Sequence, residues 1–233
     1  MDEVRTWQTI DMALAVAAAV IVAYGVLMLG WSVFVVIALF WFENVLIGVL
    51  NVAKMLITGA QSGYTVSMVA AVALSAFFTV HYGMFTVAHG VFVVGLFGQA
   101  ELGSSQGMFA PLGRMLGYLL ADREGWLAAA GITALQAAAF LRWLIATRAQ
   151  PVLLPALMFA PYGRIVILHV TIIASGILVG MLKFPVLGAL LLVALKLAFD
   201  IVAGNAAART GGSPQPVPVR HFFISPEDDA KRP

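Results

Sequence analysis

With 233 residues, 62% of them hydrophobic and only 10% charged, and a mean hydropathy of +0.99, this chain lacks the charged surface that a soluble fold of its length needs. Ordinary soluble domains carry about 25% charged residues, whereas a helical bundle in lipid does without them because hydrocarbon solvates its outer face. The absence of cysteine excludes disulfides and thiolate chemistry, and a net charge of +2 with basic residues near segment ends reads as a topology signal rather than a nucleic-acid surface.

The start, Met-Asp-Glu-Val-Arg-Thr-Trp-Gln, is acidic where a secretory signal is basic, so the first apolar run is expected to be retained. A span needs about 20 mostly apolar residues. Thr9 to Leu29 qualifies, and Gly30 breaks it. Trp31 opens a second run to about Ala53, ended by Lys54, and Thr58 to Tyr64 reads as a loop. The third run, Val66 to Phe97, exceeds one span, which predicts a tilt, a kink near Gly83 or Gly90, or protrusion. Pro111 to Leu120 is too short to span and reads as interfacial. Trp126 to Ile145 is a fourth span, Pro151 to Pro161 an interfacial or re-entrant piece, Ile165 to Leu182 a fifth span and Val186 to Val202 a sixth. The expected fold is all-α: a polytopic transmembrane helical bundle of about six spans plus one or two interfacial or re-entrant short helices. Residues 1–208 form the membrane domain, and the Gly- and Pro-rich stretch 209–233 is a flexible tail.

With the N-terminus inside, the cytoplasmic side receives Arg5, Lys54, Arg142, Arg148, Arg164, Arg209, Arg220, Lys231 and Arg232. The outer side receives only Arg114, Arg123 and Lys183, so both termini are expected to be cytoplasmic, in a bacterial inner membrane. The bilayer is the expected partner, no nucleic acid is, and a homo-oligomer stays open.

Ionisable groups inside a membrane are rare and raise a functional hypothesis by default. Here they are Glu43, His81, His89, His169, Lys196 and Asp200. At about 1.5 Å of rise per residue, Glu43, His81, His169 and Asp200 reach similar depths from four different helices, as bundle-core metal ligands do. His89 lies about 12 Å along the axis and about 80° around from His81, so one metal cannot take both. His81 is therefore the better candidate to join Glu43 and His169, with His89 a second-site or structural residue. Asn44, Gly48 and Asn51 share one helix face, where Gly48 permits close approach and the amides bond across helices. Lys196 and Asp200 are spaced to pair with each other.

The segments Trp41-Phe42-Glu43-Asn44, Ile47-Gly48 and Asn51, followed by His81-Tyr82-Gly83-Met84-Phe85 and His89, resemble a family of bacterial integral membrane proteins that is a domain of unknown function. The resemblance implies a multi-span fold centred on these two segments, and no activity.

Three readings follow. The first is an intramembrane metal-binding protein or metal-dependent enzyme with ligands among Glu43, His81, His169 and His89. Mixed imidazole and carboxylate suit zinc or non-haem iron, whose bound water serves hydrolysis or oxidation. The second is a small proton-coupled transporter using Glu43, the histidines and Asp200 as a relay, although no inverted repeat is evident. The third is a structural membrane subunit. The sequence names no catalytic residue and leaves open whether the protein is an enzyme.

Overall fold

Ser32 sets where the first long helix begins. The computed structural model describes residues 19–103, 110–121, 123–147 and 153–163, with isolated positions on either side. Helix α1 spans Ala19–Met28. Gly30 then takes a left-handed φ of 69°, open to glycine without strain. The chain turns back here: the Trp31 N–H donates to Gly25 O at 3.0 Å, and the indole lies on Gly25, where a Cβ would collide with it. Ser32 Oγ accepts from the Val35 N–H at 3.4 Å, capping α2, Val33–Gln61.

Lys54 does not end α2, and the residues from Thr58 to Gln61, expected in a loop, are helical. Two contacts explain this. The Lys54 ammonium lies 5.5 Å from the centre of the Trp143 ring, a cation–π site that receives the charge without unwinding the helix. Gly59 packs directly on Ala71 of the next helix, so this glycine serves close approach rather than a break. The turn comes at residues 62–64, where Ser62 Oγ donates to Gly59 O at 2.7 Å and Gly63 has a φ of 71°. Helix α3, Thr65–Phe97, runs unbroken through Gly83 and Gly90. At 29 and 33 residues, α2 and α3 are roughly 43 and 50 Å long, longer than the ~30 Å hydrocarbon core.

These two helices form an antiparallel hairpin with a glycine at each of four close contacts. Gly59 meets Ala71, Gly48 meets Tyr82, Trp41 meets Gly90 and Phe34 meets Gly98, in order from the turn outward. Small residues are how helices reach contact distance in lipid, where tight packing must replace the hydrophobic drive. On α3 the buried residues include Ala71, Ser75, Phe78, Tyr82, Thr86, His89 and Val93. They recur every three or four residues, which is one helix face.

The shorter elements close over this hairpin. Helix α4 is a single turn, Gln99–Leu102, and α5, Ala110–Ala121, buries Met115 and Leu119. Helix α6, Arg123–Thr147, contains the expected fourth span, and α7, Leu154–Phe159, is a short apolar helix. One core gathers Val33 to Trp41 with Val93, Met115, Leu119, Ala128 and Ala129. A second gathers Met55, Phe78 and Tyr82 with Leu157, Met158 and Ile165.

Among the described residues the fold is all-helical, and three helices, α2, α3 and Gly125–Ile145 within α6, are long and apolar enough to cross a membrane. Much of the first, fifth and sixth expected spans, the tail, Lys196 and Asp200 lie outside the described residues. Val69, Val72, Val80, Met84, Phe92 and Leu96 of α3 are exposed. An apolar outer face of that kind is what hydrocarbon solvates.

Candidate functional site

The polar side chains of α2 are tied into the bundle one by one. Glu43 is buried, and its Oε1 accepts from Gln136 Nε2 at 2.9 Å across to α6. Asn44 Nδ2 donates to Phe40 O at 2.9 Å one turn back, while the Tyr82 hydroxyl donates to Asn44 O at 3.2 Å. Asn44 Oδ1 is buried with no hydrogen-bond partner. Asn51 Nδ2 donates to Leu157 O at 2.9 Å, which pins α7 to the hairpin. Nearer the α1 end, Trp41 Nε1–H donates to Thr86 O at 2.7 Å. Each bond removes a polar group from hydrocarbon, where an unmet one is costly.

His89 sits on the buried face of α3, 5% exposed. Its Nδ1 lies 2.6 Å from Phe85 O and its Nε2 3.0 Å from His169 Nδ1. A carbonyl can only accept, so Nδ1 of His89 carries the proton. In the neutral ring Nε2 is then bare and accepts from His169 Nδ1–H. His169 is exposed, so the pair leads from the helix surface to a buried imidazole.

His81 stands on the flank of the same helix, half-buried. Its Nδ1 lies 2.9 Å from the Tyr162 hydroxyl. The hydroxyl can donate to a bare Nδ1 or accept from an Nδ1–H, so either neutral tautomer of His81 keeps the bond. The ring is stacked on Phe77, with centroids 5.4 Å apart and planes at 18°, and tilted against Phe85 at 5.2 Å.

The expected grouping of Glu43, His81 and His169 is not what the structure brings together. Glu43 goes to Gln136, His81 to Tyr162, and His169 to His89. Among the described residues no three His, Asp or Glu side chains converge as metal ligands would. The reason is angular. Tyr82 lies on the buried face and His81 is one residue off it, whereas His89 is two turns beyond Tyr82 and back on it. Depth estimates say nothing about facing. Gln136, Thr86 and Tyr162 escaped the sequence reading, as did the Phe77–His81–Phe85 stripe, whose spacing of four was a readable signal.

No curated protein and no solved structure matches the chain. A family of unknown function, DUF6498, matches residues 1–216, and the chain belongs to that family.

Proposed function

We propose that this family member is a proton-coupled membrane protein, most concretely a small transporter, in which the His89–His169 pair holds one exchangeable proton. The observation that carries the reading is the 3.0 Å bond between a buried imidazole and an exposed one. A proton taken at His169 Nε2 makes that ring cationic. Its Nδ1 proton then passes to His89 Nε2, already in line with it. Phe85 O holds the far side of His89 and cannot take a proton onward. The pair is thus a store that fills and empties from the His169 side, as a coupling site requires, rather than a wire through the membrane. The distribution of Lys and Arg supports cytoplasmic termini.

The test is a pH jump on proteoliposomes adsorbed to a solid-supported membrane. Wild-type protein is expected to give a transient charge movement, which His89→Phe and His169→Phe each abolish. Equal transients in both variants would rule out the pair as the proton site.

A metal reading has one observation in its favour. An imidazole whose Nδ1–H is fixed by a carbonyl is oriented as metal-ligating histidines are. Zinc or non-haem iron would take His89 Nε2 and His169 Nδ1 rather than Glu43 and His81. Stoichiometric metal in purified protein, lost in His89→Phe, would favour this reading over proton storage.

A further inference from the structure

One edge of the bundle holds charges that the proton-coupled reading does not use. The apolar part of α6, Gly125–Ile145, is 21 residues long. That is roughly 31 Å at 1.5 Å per residue, the thickness of a hydrocarbon core. Arg142 and Trp143 therefore stand at one edge of the core, at the level of lipid headgroups. The Lys54 ammonium lies 5.5 Å from the centre of the Trp143 ring, which brings a charge of α2 to the same edge.

Both cations are held in place. Lys54 rests on an indole that is stacked on Phe140, with centroids 5.9 Å apart and planes at 24°, and that packs against the second core. Arg142 is half-buried, and its Nη1 is out of contact with solvent. Cations fixed by their surroundings lose little freedom when an anion arrives, unlike lysines that sweep through water. The segments that build this edge add no negative charge, since there is no Asp or Glu from 44 to 100 or from 125 to 199. The other end of α6 differs, for it begins Arg123-Glu124 with both signs.

Charge and depth together define the partner. Two cations select net negative charge, and the edge of the hydrocarbon is where a phospholipid carries its phosphate. A zwitterionic headgroup brings an ammonium of its own and gains less. Basic pockets between spanning helices bind anionic headgroups in this way. Beside the cations, Leu141 and Ile145 are 56% and 71% exposed. They are one turn apart on one face of α6, a track for an acyl chain below the headgroup.

We propose that Lys54 and Arg142, with Trp143 positioning Lys54, form a binding site for the headgroup of an anionic phospholipid whose acyl chain runs along Leu141 and Ile145. The site is separate from the His89–His169 pair and does not depend on it.

The probe is dioleoyl phosphatidylglycerol, titrated into full-length protein in detergent and counted as bound lipid by native mass spectrometry. Dioleoyl phosphatidylcholine is the competitor of equal chain length. Wild type is expected to bind the first phosphatidylglycerol at least tenfold more tightly than phosphatidylcholine. Lys54→Gln and Arg142→Gln are each expected to lose about fivefold of that preference, the usual worth of one basic residue near an anionic surface. The double variant is expected to lose nearly all of it. Arg114→Gln, on α5 beside the other end of α6, is expected to keep it. Equal binding of the two lipids by wild type, an unchanged preference in the folded double variant, or an equal loss in Arg114→Gln would each overturn the proposal. So would displacement of the lipid by inorganic phosphate at equal concentration, which would mark a plain anion site. Should the double variant fail to fold, the single variants and the wild-type competition decide.

Discussion

His81 and His89 share a helix, an imidazole and the same type of partner, a side chain some eighty residues further along the chain. They differ in where the helix turns them. His89 lies in the seam of the α2–α3 hairpin, near Trp41, Thr86 and Gly90, with its outer nitrogen taken by a second histidine. His81 lies on the flank, half-buried between exposed phenylalanines. An intramembrane histidine is therefore not one kind of signal. Its facing decides whether it is buried in the hairpin seam or stands half-exposed on the flank.

The largest expected effect tests what the two histidines have in common, the hairpin that registers both. A Cβ at Gly48 would stand 2.7 Å from the Tyr82 ring, so no side chain fits without moving α3. Gly48→Leu is expected to lose about 3 kcal/mol, the upper part of the usual range for overpacking. Thermal unfolding in detergent checks this, and an unchanged midpoint would mean that the close approach does not hold the helices. A smaller effect separates the two positions. In a double-mutant cycle, His89→Phe with His169→Phe is expected to give a coupling of about 1 kcal/mol, within the span measured for interhelical hydrogen bonds in membranes. On the open flank, His81→Phe with Tyr162→Phe is expected to give about half of that. A flank coupling equal to the seam coupling would erase the difference in burial drawn here.

Much of the hairpin was legible because its signals are local. Asn44, Gly48 and Asn51 were readable as one face from spacing alone, and in the structure Gly48 meets Tyr82 and Asn51 reaches α7. Gly30 read as a break and has the backbone to match. Lys54 and Gly59 misled because their usual meaning, the end of a span, was overridden by partners far along the chain, Trp143 and Ala71. The pairing of the histidines was beyond reach for a similar reason. On a helix apolar all round, hydrophobic periodicity cannot mark the buried side. The small and weakly polar residues Ala71, Ser75, Thr86 and Gly90 could have marked it, and they run through His89 rather than His81.

The finest difference between the two histidines costs almost no energy and is the sharpest to measure. His89 gives its Nδ1 proton to a carbonyl and keeps Nε2 as acceptor, while His81 meets at Nδ1 a hydroxyl that can donate or accept. Neutral His89 must therefore carry its proton on Nδ1, and a Tyr162 hydroxyl that donates would put the proton of neutral His81 on Nε2, the opposite tautomer. Nitrogen and carbon NMR shifts of histidine-labelled protein distinguish the two forms, and His89→Phe and His81→Phe assign the signals. The expected spectrum at neutral pH has an Nδ1–H signal that disappears in His89→Phe and an Nε2–H signal that disappears in His81→Phe. Tyr162→Phe sharpens the comparison further. It removes the hydroxyl that meets His81 Nδ1 and is expected to shift His81 towards a mixture while leaving His89 unchanged. If both rings carried the proton on Nδ1, Tyr162 would be the acceptor of the His81 bond rather than its donor.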